Sequence, residues 1–334
     1  MFDPRFSLSL LALAACCSAP AMAATDAGAA FARPQQLVDI GGRRLNLHCS
    51  GSGPVTVVFD AYSGGPAWTW FQVQPDVARR TRACVYDRAG LGFSDPSARP
   101  GNSANAVDDL HRLLSAAGIA PPYVMVGNSY GGGNVQLYAY RHPAEVKGLV
   151  LVEPQHEDEA PRLVKASGGK LQQMFDLMDQ RDQACAAQAE KGFVPGSELW
   201  DNCVGPLRPG MGRSLGAVVL AAQGSAAYWR ADMSEGANMD TSNAQLRAAR
   251  APLGDVPLIV LSRGLPQYAV PGRPQSPSNK AMEDENVAIH KEMAALSTRG
   301  RHRIVPGSLH LIQDTQPQAV VKAVNEVLDM LVRK

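Results

Sequence analysis

The chain has 334 residues, 45% of them hydrophobic and 19% charged, with 32 Lys and Arg against 31 Asp and Glu. This apolar fraction is that of a globular protein with a sizeable core, and the charged fraction is too low for a disordered chain. The net charge of +1 argues against a nucleic-acid binder, which needs a basic face to neutralise phosphates. The length fits two domains, or one α/β domain that carries an insertion.

The first 23 residues have the pattern of a secretory signal peptide. Arg5 gives a small positive start, Phe6 to Cys17 is a run of apolar and small residues, and Ala21-Met22-Ala23 is a small-x-small cleavage site. The run is shorter than the roughly 20 residues that a membrane-spanning helix needs. We therefore expect an exported protein, periplasmic or secreted, with no transmembrane span in the mature chain.

A second processing signal overlaps the first. Leu13-Ala14-Ala15-Cys16 resembles a bacterial lipobox, and cleavage there would attach a lipid to Cys16 and tether the protein to a membrane. Removal of the signal leaves four cysteines in the mature chain, which are Cys49, Cys84, Cys185 and Cys203. An even number in an oxidising compartment suggests disulfides, in any of three pairings. No C-x-x-C pair is present, so we expect no zinc site.

Short apolar runs alternate with helical patterns along the chain. The predicted strands are 45–48, 55–59, 83–86, 123–126, 149–152, 258–261 and 303–305. The predicted helices are 105–117, 134–141, 170–189, 225–233, 241–250 and 320–332. This alternation indicates a mostly parallel sheet with helices on both faces. Residues 155–255 contain no convincing strand, so we predict a helical lid there, inserted into a core of residues 24–154 and 256–334.

One serine has the surroundings of a catalytic nucleophile. Gly127-Asn128-Ser129-Tyr130-Gly131 has the form G-x-S-x-G, whose chemistry needs a strand, a sharp turn and a helix that lift the serine above the sheet. Ser129 follows the predicted strand 123–126 and precedes a predicted helix. A second match, around Ser214, follows a Gly- and Pro-rich segment that cannot be a central strand. We predict that Ser129 is the nucleophile and that Ser214 lies on the lid surface.

The serine needs a base and an acid. A serine hydroxyl is a poor nucleophile until a base takes its proton, and His310 lies after the last predicted strand, where such a base belongs. The other histidines occur in strands, on helix faces or in charged surroundings. Glu153 directly follows the strand 149–152, and we predict that it orients the histidine. The alternative acids follow the strand 258–261 at a distance: Glu283, Asp284 and Glu285.

Backbone N–H groups should stabilise the negative charge that develops on the substrate oxygen. One donor is the N–H of Tyr130, directly after the nucleophile. The other should come from the glycine-containing loop after the strand 55–59, and we predict Ser63 there, with Tyr62 as the alternative. The aromatic residues Trp68, Trp70, Tyr228 and Trp229 are candidates for the core or for a substrate pocket.

Together these motifs resemble the α/β-hydrolase superfamily. The resemblance rests on Val57-Val58-Phe59-Asp60-Ala61 with Gly64-Gly65, on Tyr86 to Ser94, on the turn at Ser129, and on Gly307 to His310. Within the superfamily, the sequence is similar to the group that contains proline iminopeptidases, lid-bearing esterases and haloalkane dehalogenases. It departs from the usual pattern in one place, where Ala61-Tyr62 stands instead of His-Gly before the loop that should hold the oxyanion. The resemblance implies the α/β-hydrolase fold, an eight-stranded, mostly parallel sheet with helices on both faces and a helical lid. It also implies one disulfide between Cys49 and Cys84 and a second, within the lid, between Cys185 and Cys203.

These residues predict an exported serine hydrolase that cleaves a carboxylic ester or related acyl bond of a small-molecule substrate. Neither a cofactor nor a metal is implied. One alternative is an aminopeptidase of the proline iminopeptidase type, in which the acidic lid residues Glu157, Asp158 and Glu159 would bind a free amine. Another is a catalytically inactive hydrolase fold that serves as a binding protein.

Overall fold

The computed structural model describes residues 28–269 and 272–332. The predicted signal peptide of residues 1–23, and with it Cys16, lies outside the described residues. Eight strands form one sheet: β1 (Gln36–Asp39), β2 (Arg44–Ser50), β3 (Thr56–Asp60), β4 (Arg82–Tyr86), β5 (Tyr123–Ser129), β6 (Val146–Pro154), β7 (Leu258–Arg263) and β8 (Gly300–Val305).

The strand order is β1-β2-β4-β3-β5-β6-β7-β8. β2 is antiparallel to both of its neighbours, and all other neighbouring strands are parallel. Every residue of β3 and β7 is buried, because helices cover both faces of the sheet. The predicted eight-stranded, mostly parallel sheet is confirmed.

Twelve α-helices accompany the sheet in the described part of the chain. They are α1 (Gln74–Ala78), α2 (Ser103–Ala116), α3 (Tyr130–Arg141), α4 (Glu159–Ala166), α5 (Lys170–Ala189), α6 (Glu198–Cys203), α7 (Gly212–Gln223), α8 (Ala226–Ala237), α9 (Met239–Ala249), α10 (Pro277–Ala294), α11 (Ile312–Thr315) and α12 (Pro317–Val332). Apolar side chains of α2, α3 and α10 pack on one face of the sheet. Those of α1 and α12 pack on the other face, which gives a three-layered core.

Six helices, α4 to α9, lie between β6 and β7, and we call the segment that holds them, residues 155–255, the helical insertion. They fall in the stretch 155–255, where the sequence indicates helices without strands. The Cys185–Cys203 disulfide joins α5 to α6. The Cys49–Cys84 disulfide joins residues that are directly opposite in β2 and β4. Both predicted pairings are present. Of the helices described, none is long and apolar enough to cross a bilayer.

Several elements differ from the sequence prediction. The helices α1, α4, α6, α7 and α11 were not predicted, and three further differences have a clear physical reason. Helix α3 begins at Tyr130 and not at residue 134. Its first turn contains three consecutive glycines, which a sequence pattern does not identify as helical. The edge strand β1 was missed since it buries only Val38. Helix α10 was also missed: its inner face buries Asn279, Asn286 and His290 beside its apolar residues, and these polar groups interrupt the apolar period that a sequence pattern detects.

Candidate active site

Ser129 lies at the turn where β5 passes into α3. Its backbone has φ 52° and ψ −121°, a conformation that is strained for a residue with a side chain and that is typical of an exposed nucleophile at this junction. The turn depends on its glycines. A Cβ on Gly127 would lie 2.2 Å from the Gly131 carbonyl oxygen, and a Cβ on Gly131 would lie 2.5 Å from the carbonyl oxygens of Asp60 and Ala61.

His310 and Glu153 are in direct contact. His310 follows β8, and its Nδ1 lies 3.2 Å from Oε2 of Glu153, which is near the end of β6. The His310 side chain is 31% exposed, whereas that of Glu153 is 1% exposed. Within residues 28–269 and 272–332 no hydrogen bond joins the Ser129 hydroxyl to the His310 ring. Such contacts are often long without substrate and tighten when it binds.

The Glu153 carboxylate is held by groups that favour its charge. The Arg263 N–H donates to Oε1 at 2.6 Å, and the Arg263 guanidinium pairs with Oε2. Buried His290 lies 3.7 Å from Oε1. Burial alone would raise the pKa of Glu153, but the hydrogen bond with His310 and the charge of Arg263 lower that pKa to about 2. Glu153 therefore stays ionised, as the partner of an imidazolium must.

The three alternative acids contact other cations. Glu283 accepts two hydrogen bonds from the Arg263 guanidinium, both at 3.0 Å. Asp284 pairs with Lys280 at 2.6 Å, and Glu285 pairs with Arg162 at 2.6 Å. Of the four acids considered from sequence, the structure brings only Glu153 to His310.

Sequence reasoning missed Asn128 and its role in joining the two halves of the site. The fully buried Asn128 amide donates to the Val152 carbonyl at 2.8 Å and to the His310 carbonyl at 3.5 Å. Its oxygen accepts from Gln313 Nε2 at 2.9 Å. Asn128 thus ties the serine turn to the end of β6 and to the histidine loop. The only sequence signal for it is an amide directly before Ser129.

The loop after β3 lies beside the start of α3, where it can present N–H groups. No acceptor in the described part of the chain takes up the N–H of Tyr62 or of Ser63, and the first N–H groups of a helix such as that of Tyr130 have no partner within the helix. The Ser63 hydroxyl donates to Glu235 Oε2 at 3.1 Å. Tyr62 reaches the helical insertion instead, since its hydroxyl and ring contact Arg208.

Arg88 holds this loop in place through hydrogen bonds and ion pairs. Its guanidinium donates to the Tyr62 carbonyl at 2.7 Å and pairs with Asp60 at 2.6 Å. It also pairs with Glu235 of α8 at 2.7 Å. Glu235 in turn accepts the N–H of Gly64 at 2.8 Å. A buried ion network therefore clamps the helical insertion onto the loop that holds Tyr62 and Ser63.

A second carboxyl of α8 also faces this loop. Asp232 Oδ1 lies so close to Gly64 that a Cβ there would be 2.2 Å away. Burial, followed by repulsion from Glu235, raises the pKa of Asp232 to about 7. The groups around it are Glu235 and Tyr228 on α8, Asp182 and Arg181 on α5, and Arg88 after β4. Asp232 consequently changes charge near neutral pH beside the predicted oxyanion donors.

We call residues 61–65 the oxyanion loop, after the N–H donors that the sequence predicts there. Two cavities lie near this loop. One, of about 340 Å³, lies between α8 and the segment from β4 to α2, and its wall includes Tyr130, Ala227 and Ala231. The other, of about 30 Å³, is lined by Tyr62, Trp68 and Tyr228 among others. Neither is lined by Ser129 or His310. Tyr130, which follows Ser129 in the chain, is one of the residues that line the larger cavity.

The remaining sequence candidates lie outside this centre. Trp70 and Trp229 are buried in the core, whereas Trp68 and Tyr228 also line the smaller cavity. Ser214 is exposed on α7. Two groups of described residues have the spacing of metal ligands, and neither contains Ser129, His310 or Glu153. That the site needs no cofactor or metal stays a prediction.

Comparison with known proteins agrees with this architecture. The sequence model of the family described as "alpha/beta hydrolase fold" matches residues 62–195. The thermophilic esterase from Thermogutta terrifontis, solved with malate bound, superimposes with a TM-score of 0.60 over 89% of this chain and 98% of that one, at 16% identity. The chain therefore has the α/β-hydrolase fold, and the resemblance to that superfamily is confirmed.

Curated relatives match over shorter stretches. The 2-hydroxymuconate semialdehyde hydrolase of Pseudomonas sp. (strain CF600) is 37% identical over 128 residues, which cover 36% of this chain and 45% of the relative. The uncharacterized protein YqjL of Bacillus subtilis (strain 168) is 36% identical over 107 residues, which cover 32% of this chain and 42% of the relative. The matched part of the chain thus covers less than half the length of each of these two relatives.

Proposed function

We propose that the protein is a serine hydrolase that cleaves a carboxylic ester or related acyl bond of a small molecule. The observation that carries the proposal is the 3.2 Å contact between His310 Nδ1 and Glu153 Oε2, next to a serine at the strained turn from β5 to α3. A histidine held by a buried, ionised carboxylate is the arrangement that activates a serine hydroxyl.

In the proposed mechanism Ser129 Oγ attacks the carbonyl carbon while His310 Nε2 takes the hydroxyl proton. Glu153 holds His310 in the required tautomer and stabilises its charged form. The N–H groups of Ser63 and Tyr130 donate to the oxyanion of the tetrahedral intermediate. His310 then protonates the leaving alcohol and the acyl-enzyme forms. Water, deprotonated by His310, attacks the acyl-enzyme and releases the acid and Ser129.

The cavity of about 340 Å³ beside Tyr130 supports the binding of one arm of the substrate under a lid formed by the helical insertion, residues 155–255. Its volume lies at the lower end of the range for small-molecule sites, and much of its wall is apolar, with Ala89, Pro96 and Ala227 among the lining residues. These features favour a small acyl or alcohol group of low polarity.

Export is part of the proposal. Two disulfides support an oxidising compartment, and they agree with the signal pattern of residues 1–23. Detection of the chain in the periplasmic or extracellular fraction, with its start after Ala23, would support export through the signal peptide. A start at Cys16 with an attached lipid would show the tethered form instead, and retention of the intact chain inside the cell would contradict both.

The activity is tested by labelling with a fluorophosphonate probe, which reacts with activated serines. We expect labelling of the full chain that Ser129→Ala abolishes and Ser214→Ala leaves unchanged. The same variants are compared for turnover of p-nitrophenyl esters of increasing acyl length. Absence of labelling in folded protein would instead favour the inactive binding-protein alternative.

A second candidate reaction is hydrolysis of a carbon–carbon bond next to a carbonyl. It is favoured by the 37% identity over 128 residues to a 2-hydroxymuconate semialdehyde hydrolase. Incubation with 2-hydroxy-6-oxo-2,4-heptadienoate, a compound named for another relative, separates the two candidates: turnover faster than that of any ester would favour this reaction.

The aminopeptidase alternative has less support. Its amine site would need the carboxylates of Glu157, Asp158 and Glu159 to be free. Glu157 pairs with Arg250 at 2.6 Å and Asp158 pairs with Arg247 at 2.5 Å, so two of the three charges are already compensated. Comparison of aminoacyl arylamides with the ester series tests this alternative.

A further inference from the structure

A cluster of two histidines and one glutamate lies at the far end of α3 from the candidate active site. His111 is on α2, His142 directly follows α3, and Glu145 directly precedes β6. Their ligand atoms all lie within 4.8 Å of one another. Since α3 has 12 residues, its two ends are about 18 Å apart. The cluster is therefore separate from Ser129.

The geometry of this cluster is close to that of a metal site. His111 Nε2 lies 3.1 Å from Glu145 Oε1, and the donor atoms of a tetrahedral zinc site, with bonds of about 2.0–2.2 Å, are roughly 3.4 Å apart. The rings of His111 and His142 are parallel, with their centroids 4.2 Å apart. A metal lies in the plane of each imidazole that binds it, so one ring must turn. The His111 side chain is 41% exposed, which leaves room for that rotation.

The Glu145 carboxylate is held in place by a neighbouring tyrosine. The hydroxyl of buried Tyr138 donates to Glu145 Oε2 at 2.6 Å, which leaves Oε1 directed at the histidines. The Glu145 N–H donates to the His142 carbonyl at 3.0 Å, so the backbone between these two residues is fixed as well. Support of this kind orients metal ligands in proteins.

The charges around Glu145 also favour a cation. No arginine or lysine in the described ranges pairs with it, and nearby Arg141 is paired with Asp108 at 3.4 Å. The second group with metal-ligand spacing, His156, Glu157 and Asp158, differs in this respect. Arg250 donates to both His156 and Glu157 at 2.7 and 2.6 Å, which leaves no place there for a further positive charge.

We propose that His111, His142 and Glu145 bind one divalent transition-metal ion of the zinc type. Two imidazoles and one carboxylate are a common ligand set for Zn²⁺, and a water or an external group would complete the tetrahedron. The three ligands come from α2, the end of α3 and the start of β6. A bound ion would therefore link these elements on the side of the sheet that α2 and α3 cover.

Titration of the tag-free full chain with ZnCl₂ in a calorimeter tests the proposal. We expect one saturable equivalent of Zn²⁺, at least about tenfold weaker affinity for His142→Ala, and unchanged affinity for the control His302→Ala, a partly buried histidine of β8. Far-UV circular dichroism checks that each variant is folded. Equal affinity of His142→Ala and the unchanged chain, or no saturable binding to the unchanged chain, would overturn the proposal.

A second variant tests the support from Tyr138. Tyr138→Phe removes only the hydroxyl that orients Glu145, so we expect about tenfold weaker Zn²⁺ binding. The visible absorption spectrum of bound Co²⁺ should also change in this variant, because the Glu145 carboxylate is one of the ligands of the ion. An unchanged affinity together with an unchanged Co²⁺ spectrum would contradict the role of Glu145.

Discussion

Glu153 combines a left-handed backbone, with φ 44°, and a side chain that is 1% exposed. Arg263 and His310 both contact its carboxylate, and Arg263 is itself shared with Glu283. A buried charge without partners would be costly, so the contacts that keep Glu153 ionised also fix its orientation. At the scale of single residues, the candidate site depends on this one carboxylate.

Glu153→Gln should lower kcat/KM for the best ester about a thousandfold to ten-thousandfold, because the amide cannot stabilise an imidazolium. Glu283→Gln is the matched control: it loses part of the Arg263 pair but leaves Glu153 against His310. We expect a loss of less than about tenfold for it. Steady-state kinetics on both variants decides between the acids, and the reverse order of effects would show that the assignment of Glu153 is wrong.

Asp232 should make stability depend on pH. Its pKa is raised from 3.8 to about 7, so between those values the folded chain binds more protons than the unfolded chain, and the free energy of unfolding falls as pH rises. Asp232→Asn removes this effect. We expect it to be more stable than the unchanged chain by roughly 1–3 kcal/mol at pH 8, with little difference at pH 4.

Urea unfolding at both pH values measures this difference. The exposed Asp240 on α9 offers a control, since Asp240→Asn should show no such dependence. An Asp232→Asn variant that gains nothing at pH 8 would show that the carboxyl is relaxed into solvent.

Helix α8 carries the contacts that join the helical insertion to the sheet. Glu235 binds Arg88 and the N–H of Gly64, while Ala227 and Ala231 of the same helix line the cavity of about 340 Å³. At the scale of elements, α8 therefore both supports the oxyanion loop and limits the pocket next to it.

Glu235→Ala should cost roughly 3 kcal/mol of stability, because it leaves the buried guanidinium of Arg88 with one of its two carboxylate partners. It should also lower kcat more than it raises KM, since the oxyanion loop loses its clamp. Urea unfolding and ester kinetics measure the two effects. A loss of stability with unchanged kcat would show that Glu235 stabilises the fold without affecting catalysis through the oxyanion loop.

Ala227→Phe should narrow the cavity. We expect kcat/KM to fall about tenfold or more for long acyl or alcohol groups and to change little for acetate esters, because overfilling a pocket rejects large substrates first. The exposed Ala221 of α7 gives the control variant Ala221→Phe. A uniform effect on short and long esters would place the substrate elsewhere.

The two disulfides act at the scale of the whole molecule in different ways. Cys49–Cys84 closes a separation of 35 residues within the sheet, whereas Cys185–Cys203 closes 18 residues within the helical insertion. Fewer unfolded conformations remain when a longer loop is closed. The first bond therefore bears on global unfolding and the second on the insertion alone.

Replacing Cys49 and Cys84 by alanine should lower the free energy of unfolding by up to about 4 kcal/mol, and the Cys185/Cys203 double variant by up to about 3 kcal/mol. In the second variant we also expect the insertion to become more sensitive to protease while the sheet stays protected. Denaturant unfolding and limited proteolysis measure these changes. Equal protease sensitivity of both variants would contradict the assignment of the second bond to the insertion.

Much of this molecule was predictable from local pattern. The buried strands β3, β5 and β7 appear as continuous apolar runs, and α5 was predicted with the boundaries observed, because burial on both faces or on one helix face leaves a direct trace in sequence. The turn at Ser129 and the loop that holds His310 were predicted in the same way, each from its position after a predicted strand, while the catalytic roles of both residues stay a prediction. Where buried polar groups interrupt the pattern, as in α10, the prediction failed.

The sequence by itself determined the fold class, the strand-to-helix turn at Ser129 and the position of His310 after the last strand, since each is encoded by neighbouring residues and their period. Only the tertiary structure decided which acid meets His310, because Glu153 and His310 are 157 positions apart and three other carboxylates fitted the same pattern. It also revealed Arg263, Asn128 and the clamp between Arg88 and Glu235. These residues act through side-chain contacts across the fold, and such contacts depend on packing geometry, which no local pattern records.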